Sequence, residues 1–352
     1  MGQQVAISSQ LQAILDQSID GKKVFGTSFT IQSPDFYWHG ASGELSIDSS
    51  YFIASTTKLF TTAQILYLKN QNQLNWDDPI ASYLPPVIID GLHRWKGKDY
   101  SRELTIRHLM AHTSGLPDYL QDKSDNGGIL SEQLFKEVDQ GWSFEEAITR
   151  SKTMKPKFAP GTKNKAHYSD TNYQLLGKII ENLTGLSYAQ ACDLLLIQPL
   201  KLKNTYLYTD PKDSTPADMR YKHSYLKIPK AMASFGADGG MVSTSADLMV
   251  FLEAFFSGKL FPIEYISEMQ IWNSIFFPVK SGVGIHLFKV PWFFNPTGKI
   301  PYLIGHSGLS GALAYYSPEK TIYLTGTVNQ VAYPDASFRT MIKLLNIALS
   351  KK

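Results

Sequence analysis

Strand-like segments near both ends of the chain, separated by a long helical stretch, set the strongest limit on how this sequence can fold. Aromatic and β-branched residues are concentrated in VFGTSFTI and FYWHGAS near the start, and in GVGIHLFKV, ALAYYSP and TIYLTGTVN after residue 280. Helical periodicity at residues 7–19 and again at about 335–350 predicts a helix at each terminus. We therefore expect an α/β fold of the α+β type, in which strands from both ends form one antiparallel sheet flanked by the terminal helices.

The middle of the chain predicts a large, mostly helical region inserted between those strands. Its clearest helices are LTIRHLMAH, SFEEAITRS, NYQLLGKIIENLTG and SADLMVFLEAFFSG, and polar loops with proline and glycine separate them. The predicted division is a sheet region of residues 1–70 and 260–352 and a helical region of residues 71–259, which together form one continuous unit. A cleft is expected where the two regions meet.

Composition and charge exclude several classes of protein. The formal net charge of +3 provides no basic surface, so no nucleic-acid partner is expected. No stretch reaches transmembrane length without charges, and the single cysteine, Cys192, excludes an internal disulfide framework. The first residues lack the basic and apolar segments of a signal peptide, so the chain as written is expected in the cytoplasm, or in the cell envelope if a signal was removed.

A serine and a lysine three residues apart occur at three places, and their context distinguishes them. The pairs are Ser55/Lys58, Ser224/Lys227 and Ser317/Lys320. Proline follows closely after the second pair and lies inside the third, and proline disfavours a helix at those positions. Only the first pair opens a long apolar segment, from Ser55 to Leu68, which predicts a buried helix with both residues on one face.

Two interpretations of Ser55 and Lys58 remain open from these residues alone. In the first, Ser55 is a nucleophile near unpaired backbone N–H groups at the start of a helix, and the desolvated Lys58 helps to take its proton. In the second, Ser55 caps the helix and Lys58 extends its ammonium group into water. The first interpretation needs further polar groups that move the proton and hold a substrate.

Tyr168 is the best candidate for a second group that moves protons. A tyrosine two residues before an aspartate occurs at Tyr168, Tyr208 and Tyr333, and the last two lie in polar, turn-like segments. Tyr168 instead follows FAPGTK and precedes the helix TNYQLLGKIIENLTG, in a loop between two firm anchors, where functional groups tend to lie. A phenol placed near the lysine charge could lose its proton and act as a general base.

A strand with small residues beside the nucleophile would let a substrate approach the backbone and add to the sheet edge. Lys280-Ser281-Gly282 and His306-Ser307-Gly308 both fit, and the second is preferred because it lies just before the strands near the C-terminal helix. The segment GHSGL also offers a rival nucleophile, Ser307, through its likeness to the Gly-x-Ser-x-Gly turn of α/β-hydrolases. That pattern fails at Leu309, and no βαβ alternation surrounds it.

His108 and His112, four residues apart on a predicted helix, raise the question of a metal site. A zinc-binding His-Glu-x-x-His helix needs glutamate after the first histidine, and Leu109 stands there. Hydrogen-bonded structural histidines are therefore the expected interpretation, and neither a metal nor another cofactor is expected.

Five segments together resemble the penicillin-recognising serine hydrolases, in the branch of class C β-lactamases, serine DD-peptidases and their esterase and D-aminopeptidase relatives. The segments are YFIASTTKLFTTAQIL, LTIRHLMAHTSGL, FAPGTKNKAHYSDTNYQLLGKIIENLTG, GADGGMVSTSADLMVFL and GHSGLSGA. The resemblance implies a fold like the one expected above, no cofactor, and Ser55 as the nucleophile that becomes acylated. It also implies that Lys58 and Tyr168 handle protons, with the base left open, and that the backbone N–H groups of Ser55 and Leu309 form an oxyanion hole.

Two positions depart from the pattern of β-lactamases in this branch. By the resemblance, the substrate contacts are Asp170, His306, Ser307 and Gly308, often to a carboxylate. Asp170 stands where those enzymes usually have asparagine, so a negative charge favours the charged form of Lys58 and an amide donor is lost. His306 stands where class C β-lactamases have lysine, so a positive charge there depends on pH.

These departures favour a serine hydrolase that cleaves an ester or a D-residue-containing peptide amide through an acyl-enzyme on Ser55. Its expected partners are small-molecule or peptide substrates. A class C-like β-lactamase is the alternative among the enzymes, and a penicillin-binding sensor that is acylated without turnover is the alternative outside catalysis. The sequence leaves the leaving group and the oligomeric state open.

Overall fold

The computed structural model describes residues 2–124, 128–295 and 298–350, and the elements within those residues are numbered in chain order. The strands are β1 (Gly26–Ser33), β2 (Phe36–Gly43), β3 (Tyr51–Phe52), β4 (Arg94–Trp95), β5 (Lys98–Asp99), β6 (Tyr206–Leu207), β7 (Met219–Tyr221), β8 (Ser224–Leu226), β9 (Met241–Ser243), β10 (Asn273–Phe276), β11 (Val279–Ser281), β12 (His286–Phe288), β13 (Leu303–Ser307), β14 (Leu313–Ser317) and β15 (Ile322–Thr327). The α-helices are α1 (Gly2–Ser18), α2 (Thr57–Asn70), α3 (Pro86–Ile89), α4 (Ile106–Met110), α5 (Leu130–Leu134), α6 (Phe144–Lys152), α7 (Asp170–Thr184), α8 (Tyr188–Cys192), α9 (Gln198–Leu200), α10 (Pro229–Met232), α11 (Ser245–Phe256), α12 (Glu264–Glu268) and α13 (Asp335–Ala348).

Strands from both ends of the chain form one sheet of eight strands. The order across the sheet is β10-β11-β12-β13-β14-β15-β1-β2, and neighbouring strands are antiparallel. The two ends of the chain meet where β1 pairs with β15, with Phe29 opposite Gly326 and Thr30 opposite Thr325. The predicted fold class, an α+β arrangement built on an antiparallel sheet, is confirmed.

Different helices cover the two faces of this sheet. Side chains alternate between the faces along a strand, and β14 shows the consequence. Leu313 and Tyr315 pack in one core with residues of the terminal helices α1 and α13, whereas Ala314 belongs to the core that contains α2 and α11. The terminal helices contact each other, and α11 lies against β1, β14 and β15. The predicted flanking of the sheet by terminal helices is therefore confirmed.

The chain between β2 and β10 is mostly helical, and α2 is its most buried helix. α2 packs against α7 and α8, and the Phe60 ring on α2 stacks on the Phe251 ring of α11 with 3.7 Å between their centroids. The helix that begins near Ser55 is thus fixed from several sides. The division of the chain into a sheet region and a helical region, with boundaries at residues 70/71 and 259/260, stays a prediction.

None of the helices in the described chain has the length and apolar character that crossing a bilayer requires.

One predicted helix ends earlier than the sequence indicates. Within LTIRHLMAH only α4 is helical, and it ends at Met110. His112 has a φ of +57°, so the prediction that it shares a helix with His108 is wrong. The physical reason is a long-range contact, because Nδ1 of His112 accepts the backbone N–H of Ser169 at 3.1 Å. Because the His112 side chain is hydrogen-bonded to Ser169, the backbone at His112 does not continue the helix α4.

Gly177 lets α7 approach the 3-10 turn Gly236–Asp238, and we predict that alanine at this position destabilises the fold. A Cβ on Gly177 would lie 2.5 Å from the Cβ of Ala237, and the buried backbone would have to move to relieve this overlap. Overpacking of this kind costs about 1–3 kcal/mol, which exceeds the roughly 1 kcal/mol by which alanine favours a helix over glycine. Urea unfolding of Gly177→Ala should show the loss.

The matched control for this prediction removes the opposing methyl group. In Gly177→Ala/Ala237→Gly, the next atom near the new Cβ is Cδ2 of Tyr188 at 3.7 Å, an ordinary contact distance. The double variant should therefore recover most of the lost free energy of unfolding. A single variant that is more stable than the wild type would show that the helix and the turn are not in close contact.

Candidate active site

Ser55 lies in a 3-10 turn, Ala54–Thr56, that leads directly into α2. The residue before it, Ala54, has a φ of +44°, which is the left-handed region and costs a residue with a Cβ about 1–2 kcal/mol. Such strain persists only where the surroundings hold it. Ser310 supplies one restraint, since its Oγ donates to the carbonyl of Phe52 at 2.6 Å. Ser55 is therefore presented on a strained turn at the N-terminal end of a buried helix.

Lys58 is fully buried one turn after Ser55, and its ammonium group has three acceptors. Nζ donates to Oγ of Ser55 at 3.1 Å, to Oδ1 of Asp170 at 2.6 Å and to the carbonyl of Asp238 at 2.6 Å. These contacts use all the hydrogen-bonding protons that an ammonium group carries. The alternative in which Lys58 extends into water is wrong, because its exposed fraction is 0%.

Tyr168 lies in the loop just before α7, where the sequence places it. Its ring stacks on the ring of His112 with 4.5 Å between centroids, and Nζ of Lys58 lies 5.0 Å from the centre of the tyrosine ring. Burial, and then the charge of Asp170, hold the pKa of Tyr168 well above its usual value, although a hydrogen bond with Ser55 acts in the opposite direction. The phenol is therefore neutral at neutral pH, and the phenolate suggested by the sequence is not its resting form.

Three buried carboxyl groups surround Lys58. Asp170 forms the ion pair with Lys58, and Asp238 contributes its backbone carbonyl oxygen. Asp118 is buried nearby, and its charge interacts with the charges of Asp170 and Lys58. Burial, followed by the charge of Asp170, raises the pKa of Asp238 to about 8 and holds the pKa of Asp118 well above its usual range. Oδ2 of Asp238 accepts the hydroxyl of Tyr119 at 2.7 Å. Ser55 thus lies beside more carboxyl groups than the single ammonium group of Lys58 can neutralise.

His306 lies on β13, and its side chain is almost completely buried. Its ring stacks on the ring of His286, from the neighbouring strand β12, with 3.8 Å between centroids. Burial, and then the nearby charges of His286 and Lys58, hold the pKa of His306 well below its usual value. A neutral imidazole is therefore present at neutral pH, and the conditional charge expected from the sequence is absent there.

Ser307 lies at the end of β13 and faces the cleft, but no general base is placed on its hydroxyl. Nδ1 of His306 accepts the backbone N–H of Ser307 at 3.0 Å, so this ring nitrogen is bonded to the backbone and not to the serine hydroxyl. The Lys280-Ser281-Gly282 segment, the competing sequence match, lies on β11 and does not line the cavities at Ser55.

The turn after β13 brings Leu309 next to Ser55. The N–H of Gly308 donates to the carbonyl of Ala312 at 2.8 Å, and the N–H of Gly311 donates to the carbonyl of Gly308 at 3.0 Å. Gly308 packs so closely on the serine turn that a Cβ there would lie 2.2 Å from the carbonyl oxygen of Ile53. Glycine at this position therefore sets the distance between the backbone of Leu309 and the backbone of Ser55.

Two cavities meet at Ser55 and Leu309. The first is an apolar pocket, and side chains from the inserted region form much of its wall: Leu134, Met219, Leu226, Ile228 and Met232. The second is a more polar cleft along β12 and β13, lined among others by Asp118, His167, Tyr168, His286 and Ser307. Ser55 is thus accessible from both sides, whereas Tyr168 lines only the second cavity.

Sequence reasoning missed Asp238, Tyr119 and His286, which all lie beside the predicted site residues. Asp238 stands in GADGG, a segment that carries the family resemblance without marking the aspartate as unusual. His286 reaches the site only because β12 pairs with β13, which places it opposite Gly305. His108, by contrast, has the structural role expected of it, since its Nδ1 accepts the N–H of Thr105 at the start of α4.

Comparison with known proteins gives a family and several relatives. The family model described as "Beta-lactamase" matches residues 18–346. The D-alanyl-D-alanine-carboxypeptidase/endopeptidase AmpH of Escherichia coli (strain K12) is 28% identical over 217 residues, which are 61% of this chain and 51% of the relative. This chain therefore spans about half the length of that curated relative.

Solved structures resemble the whole chain. A D-stereospecific amidohydrolase from Streptomyces sp. has a TM-score of 0.78 and 26% identity, over 95% of this chain and 97% of that one. The D-amino acid amidase from Ochrobactrum anthropi SV3 has a TM-score of 0.79 and 24% identity, over 96% of this chain and 99% of that one, and at that identity it supports the fold alone.

We predict that Asp238 makes the fold less stable as the pH rises. Its pKa of about 8 in the folded protein exceeds the value of roughly 4 in an unfolded chain, so the folded state binds an extra proton between those values. The stabilising effect of that proton is lost as the pH rises through 8. From about pH 5 to about pH 8, the free energy of unfolding of the wild type should fall relative to that of Asp238→Asn, by at most about 1.4 kcal/mol per pH unit, and the difference should level off above that range. Parallel pH profiles for the two proteins would contradict this expectation.

Proposed function

The chain belongs to the beta-lactamase family, and from that premise we propose that it is a serine hydrolase in which Ser55 becomes acylated. The observation that carries the proposal is the hydrogen bond of 3.1 Å from the buried Lys58 to Oγ of Ser55, at the point where two cavities meet. A nucleophilic serine needs an adjacent group that can take its proton and space for a substrate on both sides of the reacting carbon. The proposed substrates are esters or peptide amides that contain a D-residue.

In the proposed acylation, Lys58 and Asp170 handle the serine proton together. The ion pair is buried and only 2.6 Å long, so a proton can pass from Nζ of Lys58 to Oδ1 of Asp170. The neutral amine then takes the proton of Ser55 while Oγ attacks the carbonyl carbon. The backbone N–H groups of Ser55 and Leu309 stabilise the charge that develops on the carbonyl oxygen.

Tyr168 completes the proton transfer as an acid. Its phenol is neutral at neutral pH, so it can donate its proton to the nitrogen or oxygen of the leaving group when the bond to the carbonyl carbon breaks. Lys58 returns a proton to the phenolate, and Asp170 returns its proton to Lys58. Deacylation reverses these roles, because water attacks the acyl carbon, gives up a proton to the same groups and releases the carboxylic acid while Ser55 regains its proton.

The position of Tyr168 supports one assignment of the two cavities. A general acid must lie on the side of the leaving group, and Tyr168 lines the polar cleft but not the apolar pocket. The leaving group is therefore placed in the polar cleft along β13, and the acyl group in the apolar pocket. The names of AmpH and of the Streptomyces amidohydrolase, both of which refer to D-configured substrates, support the D-peptide alternative.

Two contacts make β-lactams the less favoured substrates. Asp170 is an acceptor bound to Lys58, so it offers no amide donor to an acylamino side chain. His306 is neutral and buried, so it provides no fixed positive charge for the carboxylate that β-lactams carry. We therefore place hydrolysis of esters and D-peptide amides ahead of β-lactamase activity.

We predict that Ser55→Ala abolishes acyl-enzyme formation. Stopped-flow measurement with a short-chain p-nitrophenyl ester should show a burst of p-nitrophenol and then steady turnover in the wild type. In Ser55→Ala both phases should fall by about 1,000-fold or more, because the nucleophile is absent, while circular dichroism shows an unchanged fold.

Ser307→Ala is the matched control, since it removes the rival serine hydroxyl a short distance away. Its burst should persist with an amplitude near one equivalent of enzyme. A burst that survives in Ser55→Ala and disappears in Ser307→Ala would overturn the assignment of the nucleophile. A burst without subsequent turnover in the wild type would favour the penicillin-binding sensor instead.

We predict that Gly308→Ala reduces kcat through displacement of the oxyanion hole. The new Cβ would meet the carbonyl oxygen of Ile53 at 2.2 Å, so the turn that carries Leu309 must move away from Ser55. Loss of aligned N–H donors typically lowers kcat by about 100-fold. Gly128→Ala is the control, because the nearest atom to its Cβ is the end of the Gln133 side chain at 3.4 Å. Equal activities of the two variants would contradict the predicted role of Gly308.

A further inference from the structure

One end of the sheet carries most of the exposed aromatic side chains in the described part of the chain. Of the eight exposed tryptophan, tyrosine and phenylalanine residues there, six lie between residues 276 and 302. They form what we call the aromatic face: Phe276, Phe277, Trp292, Phe293, Phe294 and Tyr302. Phe277 and Trp292 have exposed fractions of 82% and 80%. Monomeric proteins rarely expose large contiguous apolar patches, so this concentration indicates an interaction surface.

The register of the strands brings the aromatic face together. Val279 at the start of β11 lies opposite Phe288 at the end of β12, and Phe288 lies opposite Leu303 at the start of β13. Adjacent strands in a sheet are about 4.8 Å apart. The turn that carries Phe277, the 3-10 turn Trp292–Phe294 after β12 and the residues just before β13 therefore lie at the same end of three adjacent strands.

The sequence around the aromatic face has positive charges and no negative ones. Residues 269–318 contain no aspartate or glutamate, and their three lysines, Lys280, Lys289 and Lys299, are exposed. None of the ion pairs in the described part of the chain involves these lysines. Glu319, at the next turn of the sheet, is paired with Lys320 at 3.4 Å. The three lysines carry a charge equal to the formal net charge of the whole chain, +3, so the rest of the chain is formally neutral.

Aromatic rings beside unpaired lysines suit the surface of an anionic bilayer. Tryptophan and tyrosine rings favour the headgroup level of a bilayer, phenylalanine adds buried apolar area, and lysine is attracted to anionic lipids. A second copy of the chain fits less well. Two identical faces in contact would bring the lysines of both copies into one interface, where like charges repel. The charge therefore favours a lipid surface over self-association.

We propose that the aromatic face binds the surface of bilayers that contain anionic phospholipids, with Phe277 and Trp292 among the lipids and Lys289 and Lys299 at the headgroups. This inference does not depend on the proposed function, because none of these four residues takes part in the proposed catalysis. Phe276 belongs to the aromatic face and also lines the polar cleft. A bound enzyme therefore holds that cleft beside the lipid surface.

The first test is cosedimentation of the protein with sucrose-loaded vesicles. The wild type should bind vesicles of phosphatidylcholine and phosphatidylglycerol roughly tenfold or more tightly than vesicles of phosphatidylcholine alone, since each lysine near an anionic surface strengthens binding about fivefold. Trp292→Ser/Phe293→Ser should weaken binding to the mixed vesicles by roughly tenfold or more, through loss of apolar area. Lys289→Gln/Lys299→Gln should weaken it by roughly 25-fold. A wild type that binds neither vesicle, or that binds no better than the aromatic variant, would overturn the proposal.

The matched controls remove the same kinds of side chain elsewhere. Tyr37→Ser removes an exposed ring on β2, at the opposite edge of the same sheet. Lys201→Gln/Lys203→Gln removes two exposed lysines of the inserted region. Both controls should bind the mixed vesicles as the wild type does. Losses as large as those in the variants of the aromatic face would show a general effect of removing a ring or a charge, and would overturn the assignment of the surface.

Tryptophan fluorescence locates the contact with the bilayer. All six tryptophans lie in the described residues, and Trp292 is the only exposed one. Vesicles with brominated acyl chains should therefore quench the emission of the wild type and have much less effect on Trp292→Phe, which keeps an aromatic ring and still binds. Equal quenching of the two proteins would place the contact elsewhere and overturn the proposal.

Sedimentation equilibrium without lipid tests the alternative occupant, a second copy of the chain. The wild type and Trp292→Ser/Phe293→Ser should have the same oligomeric state. A wild-type oligomer that dissociates in this variant, together with absence of vesicle binding, would identify the aromatic face as an interface between copies and overturn the proposal. Circular dichroism of the variant should match that of the wild type, because both substituted side chains are exposed.

Discussion

The buried ammonium group of Lys58 is the interaction on which the rest of the site depends. A charge removed from water must be paired and hydrogen-bonded, and here the partners come from three different parts of the chain: Ser55 before α2, Asp170 at the start of α7 and the carbonyl of Asp238 in the turn before β9. The fold has to bring these elements together within hydrogen-bond distance of one atom. Two close approaches hold these elements in place, because α7 meets the turn Gly236–Asp238 at Gly177 and Gly308 packs on the backbone of Ile53 just before the serine turn.

Asp170 shapes the chemistry in two opposing ways. It provides the acceptor that lets Lys58 remain buried, and in the proposed mechanism it holds the proton that Lys58 must lose before it can act as a base. Burial, and then the same charge, raise the pKa of Tyr168, so the phenol stays protonated, which suits it to the role of an acid in that mechanism. An asparagine at this position would leave Lys58 with a weaker partner and Tyr168 with an easier ionisation. The division of labour proposed for Lys58 and Tyr168 therefore rests on burial together with the carboxylate at position 170.

Sequence reasoning succeeded where the information is local. The spacing of Ser55 and Lys58, the alternation in the strands near the termini and the loop position of Tyr168 are properties of short segments, so the sheet, its flanking helices and the placement of these residues could all be anticipated. The failures have long-range causes. His112 leaves its helix for Ser169, 57 positions away, and His286 joins the site only through the pairing of two strands. The pKa values of Tyr168 and His306 likewise depend on burial and on charges from distant segments, which no spacing rule contains.

The location of Ser55 between two cavities separates the two halves of substrate recognition. The apolar pocket is built largely by residues 120–121, 131–135 and 219–235, and the polar cleft by residues 275–276, 286 and 306–309 at the sheet together with the loop of Tyr168. If the acyl group occupies the first and the leaving group the second, the two preferences are set by different parts of the fold that share only the reacting centre. Changes in the inserted loops can then alter the acyl group that is accepted without moving Ser55, Lys58 or the strand at His306. In the proposed mechanism the chemistry depends on the groups around Lys58, whereas the choice of substrate depends on the walls of the two cavities, so the two can change independently.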